Sequence, residues 1–242
     1  VNVPALDGEL AWFLDIDGSL IEIAESPDKV VVPARLSELL HALSERAGGA
    51  LALVSGRSIA NIDRMFAPTR FPAAGQHGLE RRTAHGEFLQ ADIDPRGLAA
   101  ARPKLEEFAR SHAGVVFEDK GLSLALHFRR APQFADAARE LLASLAQALG
   151  WQYHLQAGKC VVELKPAGYS KGTAIEAFTR EEPFRSRRPA VIGDDVTDED
   201  GFRYANAAQG VSIRVGEEGE SVAMYRLPTV RAVHEFLLQQ MQ

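Results

Sequence analysis

The 242-residue chain is 46% hydrophobic and 25% charged, the composition of a globular protein able to bury a sizeable core in one or two domains. Its net charge of −6 comes without a long basic run, which argues against nucleic acid or an anionic membrane surface as a partner. A single cysteine, Cys160, excludes an internal disulfide. No apolar stretch approaches the ~20 residues of a membrane span, and no basic-then-apolar signal pattern opens the chain, so a cytoplasmic enzyme is expected.

The run Ala11 to Leu14 reads as a buried strand that stops abruptly in Asp15-Ile16-Asp17-Gly18. Strand alternation sends Asp15 and Asp17 to one side and Ile16 to the other. Two carboxylates so close repel each other, and a hard cation such as Mg2+, which prefers oxygen ligands, would resolve the conflict. The plainer alternative is an Asp-Gly turn with two solvated acids.

A polar, proline-containing stretch from Glu22 to Val32 leads to a helix with Leu36, Leu39, Leu40 and Leu43 on one face, ended by Gly48-Gly49. A second apolar run, Ala50 to Val54, finishes in Ser55-Gly56-Arg57 before another amphipathic helix through Ile59, Ile62 and Met65. Strand and helix alternate, and Ser55 falls at the carboxyl end of a buried strand, where open α/β sheets bind ligands. Taken alone, Ser55 reads first as a cap of the following helix, and Arg57 as plain surface. A third run, Phe71 to Ala74, enters Gly75-Gln76-His77-Gly78-Leu79-Glu80, where the glycines would let the backbone approach a ligand beside His77 or merely shape a turn.

From Asp94-Pro95 the pattern changes. Leu98, Ala101, Leu105, Phe108 and Ala109 recur at helical spacing, Val115 to Phe117 and Leu122 to Arg129 read as strands, and Phe134 to Leu149 reads as a helix. Two further strands, Trp151 to Gln156 and Lys159 to Leu164, complete an αββαββ order. That order predicts a separate α+β domain over residues 95–165, set into a core formed by 1–94 and 166–242. Leu122, Leu124, Leu126 and Phe128 share one face of their strand; Ser123, Ala125, His127 and Arg129 share the other, which is left to meet something polar. Glu118, Lys120 and Glu163 beside that face resemble a hydroxyl-binding surface, although each could be solvated.

The first pattern then returns. Ser170-Lys171-Gly172-Thr173 opens a helix through Ile175 and Phe178, with Lys171 in its first turn, where the helix dipole favours acids instead. Ala190 to Ile192 is another buried strand, ending in Gly193-Asp194-Asp195-Val196-Thr197-Asp198-Glu199-Asp200. Thr197 can cap the next helix and Asp198, Glu199 and Asp200 suit its positive end, which leaves Asp194 and Asp195 for a metal. Val211 to Val215 reads as the last strand and Pro228 to Leu238 as the closing helix.

Asp15, Asp17, Ser55, Lys171 and Asp194 together suit phosphoryl transfer through a carboxylate: one acid attacks phosphorus, the second moves the proton, and cations and a hydroxyl orient the phosphoryl oxygens. Asp15-x-Asp17-Gly18-Ser19, Ser55-Gly56-Arg57, Ser170-Lys171-Gly172 and Gly193-Asp194-Asp195 resemble, in that order, the motifs of the haloacid dehalogenase (HAD) superfamily of phosphatases, with Ser19 where Thr is more usual. Within it, Gly75-x-His77-Gly78, Glu118-x-Lys120, His127-Phe128-Arg129, Val162-Glu163-Leu164-Lys165-Pro166 and the acidic run from Asp194 resemble the trehalose-6-phosphate phosphatases.

The resemblance implies an α/β fold, a Rossmann-like parallel-sheet core with an inserted α+β, C2-type cap. It implies Asp15 as nucleophile, Asp17 as general acid and base, and Ser55, Gly56 and Lys171 as phosphate ligands. Asp15, the backbone carbonyl of Asp17, and Asp194 would hold Mg2+, with Asp195 and Asp198 behind them. Arg57, His77, Glu118, Lys120 and Glu163 would contact a disaccharide phosphate, the last three from the cap. A capped phosphatase for another sugar phosphate, such as sucrose phosphate or mannosylglycerate phosphate, would carry the same core motifs. A regulatory module that binds a sugar phosphate without turnover would not need both Asp15 and Asp17.

Overall fold

The computed structural model describes Val3, Leu6, residues 9–23, Val30, residues 32–217 and residues 219–241, so most of the polar stretch expected over Glu22–Val32 lies outside the described residues. In chain order the strands are β1 (Leu10–Leu14), β2 (Leu51–Val54), β3 (Ala73–Gly75), β4 (Glu80–Arg82), β5 (Phe88–Gln90), β6 (Val116–Asp119), β7 (Leu124–His127), β8 (Tyr153–Gly158), β9 (Val161–Pro166), β10 (Arg188–Gly193), β11 (Val211–Val215) and β12 (Tyr225–Leu227). The helices are α1 (Ala34–Arg46), α2 (Ile59–Phe66), α3 (Pro95–Ser111), α4 (Ala135–Leu149), α5 (Lys171–Thr179), α6 (Glu199–Ala207) and α7 (Val230–Gln239). Among the described residues no helix is long and apolar enough to cross a membrane.

The chain divides into two compact units, Val1–Gln90 with Ser170–Gln242, and Ala91–Tyr169. Residues 91–94 and 166–169 go with the second unit. Asp94 caps α3, and its carbonyl accepts the Tyr153 hydroxyl at 3.1 Å. Near the other boundary, Lys165 Nζ donates to the Tyr169 carbonyl at 2.8 Å.

The first unit is built on one eight-stranded sheet in the order β12-β11-β10-β1-β2-β3-β4-β5. Pairing is parallel from β12 to β3; β4 and β5 add antiparallel. β1, β2 and β3 are buried throughout, as continuous apolar strands covered on both faces must be. Leu36, Leu39, Leu40 and Leu43 of α1, Ile59, Ile62 and Phe66 of α2, and Ile175 and Phe178 of α5 pack into the same core. The β1 residue Phe13 packs in a triangle with Phe178 and Phe184, with ring centroids 6.0 and 5.5 Å from it and 5.0 Å from each other.

Three strands escape the sequence reading. β4, Glu-Arg-Arg, has no apolar alternation because its polar groups bond to distant partners: Arg81 to Glu181 at 2.7 and 2.8 Å, Arg82 to Asp63 at 2.7 Å. β5 completes the edge ribbon, and β12 pairs with β11, so Val211–Val215 is not the last strand.

The second unit has the expected αββαββ order, with a four-stranded antiparallel sheet β6-β7-β9-β8. Its core joins Leu124, Leu126, Val162 and Leu164 to Leu98 and Leu105 of α3 and Leu142 and Leu145 of α4. The opposite face is not open along its whole length, since Ser123 and Ala125 are also fully buried.

Candidate active site

The carboxyl ends of the adjacent strands β1 and β10 supply an acidic centre. β1 finishes at Leu14, the Asp15 amide donates to the Ile192 carbonyl at 2.9 Å, and the chain then turns as Leu20 and Ile21 donate to the Ile16 carbonyl, each at 2.9 Å. Asp15, Asp194 and Asp198 are all buried, and one carboxylate oxygen from each lies within 4.8 Å of the others. Two glycines let the loops close this tightly. A Cβ on Gly18, whose φ is +86°, would sit 2.2 Å from Asp194 Oδ2, and a Cβ on Gly193 would sit 2.1 Å from Asp198 Cγ.

Lys171 explains its own odd place at the first position of α5. Ser170 caps that helix in a reciprocal pair with Thr173, and the buried Lys171 Nζ donates to Asp15 Oδ1 and Asp198 Oδ1, each at 2.7 Å. Burial works against the ammonium, but the two carboxylates outweigh it and raise its pKa, so the lysine is charged. Burial pushes the Asp15 carboxyl well above its ordinary range; Lys171 opposes this and the charges on Asp198 and Asp194 add to it. Lys171 contributes one positive charge to three carboxylates, and a hard divalent cation would balance the cluster, whose donors are all oxygens.

Asp198 is more central than its expected supporting place. Besides Lys171, it accepts the backbone amides of Asp194 and Asp195 at 3.1 Å through Oδ2, fixing the turn that carries Asp194. The cap of this segment is Asp195, which accepts the Val196 amide at 2.8 Å, and not Thr197. Glu199 serves more than the helix end, accepting Arg214 at 2.8 Å and the Val222 amide at 2.9 Å.

Asp17 has a different partner from Asp15. Arg57 grips both its oxygens, Nε to Oδ2 and Nη2 to Oδ1 at 2.6 Å, and donates from Nη1 to Asn61 Oδ1 at 2.9 Å. Ser55 is buried and still bonded as a strand residue, its amide donating to the Ala74 carbonyl at 2.9 Å, while its Oγ accepts the Arg57 amide at 3.2 Å. The cap of α2 is Ser58, not Ser55. A Cβ on Gly56 would lie 2.6 Å from His77 Nε2, so the imidazole stands directly against the Ser55–Arg57 loop. Asp15, Asp194, Asp198 and Lys171 therefore form one cluster, and Asp17, Ser55, Gly56, Arg57 and His77 form a second group joined through Arg57 and His77. Glu80, beside that second group and bonded to Gln76, escaped the sequence reading.

The second unit holds its own charged cluster. Glu118 on β6 and Glu163 on β9 both sit opposite Ala125 on β7, whose small side chain leaves the space above it to them. Lys120 Nζ donates to Glu163 Oε2 at 2.9 Å and lies 3.9 Å from Glu118 Oε2; His127 Nε2 is 2.7 Å from that same Glu118 oxygen. Burial acts to raise the Glu118 pKa, but the His127 hydrogen bond and the Lys120 charge prevail and lower it. The buried Glu163 rules out a merely solvated acid at that position. Arg129 stands apart, exposed and donating to the Lys159 carbonyl at 3.4 Å.

The sequence profile of the trehalose-phosphatase family matches residues 13–229. Over 237 residues the chain is 43% identical to the trehalose-6-phosphate phosphatase of Escherichia coli strain K12, covering 98% of this chain and 88% of that protein. The structure is similar to the C-terminal domain of C. albicans trehalose-6-phosphate phosphatase, with a TM-score of 0.87 at 20% identity over 96% of this chain and 92% of the other. It is also similar in fold to a phosphatase of the haloalkanoate (HAD) enzyme superfamily from Bacteroides thetaiotaomicron, with a TM-score of 0.65 at 15% identity over 96% and 94% of the two chains.

Proposed function

The chain belongs to the trehalose-phosphatase family, and on that premise we propose that it hydrolyses trehalose 6-phosphate to trehalose and inorganic phosphate. It is a phosphomonoesterase with an α/β core of the HAD type. The reaction runs in two displacements. The Asp15 carboxylate attacks phosphorus, the bond from phosphorus to the sugar oxygen breaks, and Asp17 gives that oxygen its proton. Asp17 then takes a proton from water, whose oxygen attacks the aspartyl phosphate, releasing phosphate and restoring Asp15. Lys171 holds Asp15 Oδ1, so the other oxygen carries the attack.

Lys171, the Ser55 hydroxyl and the amides beside Gly56 orient and neutralise the phosphoryl oxygens, where positioning and electrostatics supply most of the catalysis. Asp15, Asp194 and the backbone carbonyl of Asp17 would hold Mg2+, with Asp198 and Asp195 fixing the loop behind them; its charge would favour the anionic form of Asp15 and offset the phosphoryl oxygens. Arg57 and His77 line the phosphate end of the substrate, and Glu118, Lys120 and Glu163 bind hydroxyls of the sugar.

The observation that carries this reading is the pairing of a buried Asp15, bonded to a buried lysine, with a second acid two residues on that is held by Arg57 and not by the acidic cluster. The test is phosphate release across a panel of sugar phosphates, with Mg2+ and with chelator. Trehalose 6-phosphate should be hydrolysed far better than glucose 6-phosphate, although both present a primary phosphate ester, because buried polar groups left unpaired reject the smaller sugar. Preference for another disaccharide phosphate would replace the substrate; full activity in excess chelator would remove the metal.

A further inference from the structure

The geometry points to Glu80 as the positioning residue of Asp17, acting through the loop that carries Arg57; this rests on the proton-donor role proposed above for Asp17. Gln76 and His77 are consecutive non-glycine residues in the left-handed region, at φ 47° and 54°, a conformation that survives only where its surroundings enforce it. The Gln76 amide donates to the Arg57 carbonyl at 2.8 Å and the His77 amide to the Ser55 carbonyl at 3.0 Å, so this turn is the wall behind the Ser55–Arg57 loop.

The Glu80 carboxylate, 9% exposed, fastens that wall on both sides. One oxygen accepts Gln76 Nε2 at 2.7 Å, and the other accepts the Ile59 amide, an orphan donor at the start of α2, also at 2.7 Å. The packing leaves no slack: a Cβ on Gly75 would lie 2.8 Å from the Arg57 carbonyl and 3.0 Å from Glu80 Oε2. Glu80 is itself held, because its strand neighbours Arg81 and Arg82 are bonded to Glu181 and Asp63. Arg57 leaves the clamped loop to grip both oxygens of Asp17. The aim of the Asp17 carboxylate is thus set by a chain of short contacts that begins at Glu80.

Misaiming a general acid leaves a specific kinetic mark. Phenyl phosphate has a leaving group that needs a proton; 4-nitrophenyl phosphate has one that departs as an anion; both are small enough not to depend on sugar contacts. The quantity to compare is kcat/KM, which reports steps through cleavage of the ester bond. Glu80→Ala should lose roughly thirtyfold or more on phenyl phosphate and no more than about threefold on 4-nitrophenyl phosphate, in the manner of a displaced acid catalyst. Asp17→Asn should show the same split.

The exchange Gln76→Glu with Glu80→Gln, which keeps an acceptor for Ile59 and a donor–acceptor pair between 76 and 80, should restore phenyl phosphate activity to within about threefold of wild type. If Glu80→Ala does not fold, Gln76→Glu alone, which sets two carboxylates against each other, is read in its place with the same expected split. Equal losses on the two substrates, with the Asp17→Asn split present, would overturn the role of Glu80. No split in Asp17→Asn would overturn the role of Asp17, and the assignment of Glu80 with it.

Discussion

Replacing Lys171 by methionine keeps most of the side chain's volume and removes its charge, which isolates the electrostatics of the acidic centre. The ammonium lies 2.7 Å from Asp15 Oδ1 and from Asp198 Oδ1, on carboxylates 5% and 2% exposed. Hydrogen bonds to charged groups contribute about 1.5–3 kcal/mol each, and stripping one partner from a buried ion pair costs about 3–5 kcal/mol. Both routes lead to a loss of about 3–5 kcal/mol in equilibrium urea unfolding, measured in chelator at about pH 8. Two conditions should shrink the deficit. Mg2+ would supply part of the missing positive charge. Acid would help as well: burial and the neighbouring acids raise Asp15, and the variant loses the lysine that opposes them.

The folded variant therefore binds a proton at Asp15 that the unfolded chain releases, and this contribution is present at low pH and lost as pH rises. The deficit should be smaller at about pH 5 than at about pH 8. In the wild type the raised Lys171 pKa makes its contribution constant over that range, to be lost only above the ordinary lysine pKa of about 10.4. A variant within about 1 kcal/mol of wild type in chelator at about pH 8, or a deficit that grows toward acid, would refute this account of the centre.

Asp15→Asn should bring turnover to background while leaving the fold intact by circular dichroism, and substantial activity would end the covalent mechanism. Glu163→Ala and Glu118→Ala should each cost about 1–3 kcal/mol in kcat/KM for trehalose 6-phosphate and almost nothing for a small aryl phosphate; equal slowing of both substrates would remove the sugar-binding role. Asp198→Asn keeps an acceptor for one set of donors but not the charge, and should weaken Mg2+ activation in a titration of initial rate against metal. Unchanged half-saturation would separate Asp198 from the metal site.

Much of this was legible in the sequence because the core strands are continuous apolar runs that stop in small or acidic residues, and those stops fall at the same end of a parallel sheet. Asp15, Ser55 and Asp194 could be put at strand ends on that ground alone, and Lys171 stood out as a cation in a first turn. The rest depended on partners far away in the chain. Ser55 reads as a possible helix cap, but its amide bonds to Ala74 directly after β2 and the cap of α2 falls to Ser58. Thr197 is the expected cap of the next segment, but the turn begins two residues earlier and Asp195 caps it. β4 carries three charged residues in succession and reads as surface until Glu181, Asp63 and the Ile59 amide are seen against it. Asp198 reads as a helix-end acid or, by resemblance, as a residue behind the metal ligands; nothing local shows that Lys171 and two amides converge on it.

β1 sits between β2 and β10, and the two edges of this strand meet their partners at very different moments in the making of the chain. Leu14 faces Leu53 on one side and Ile192 on the other. The first pairing is available as soon as β2 has been made, whereas the second closes a far longer loop and is slow for that reason. Until β10 emerges from the ribosome, the apolar stretch Leu-Ala-Trp-Phe-Leu has an unpaired edge, a template for joining another nascent chain. The inserted unit has all its strands within one continuous segment and can form while the core waits. Asp15 is synthesised well before Asp194 and Asp198, so the reactive centre comes into being only after the inserted unit and β10 have both been made.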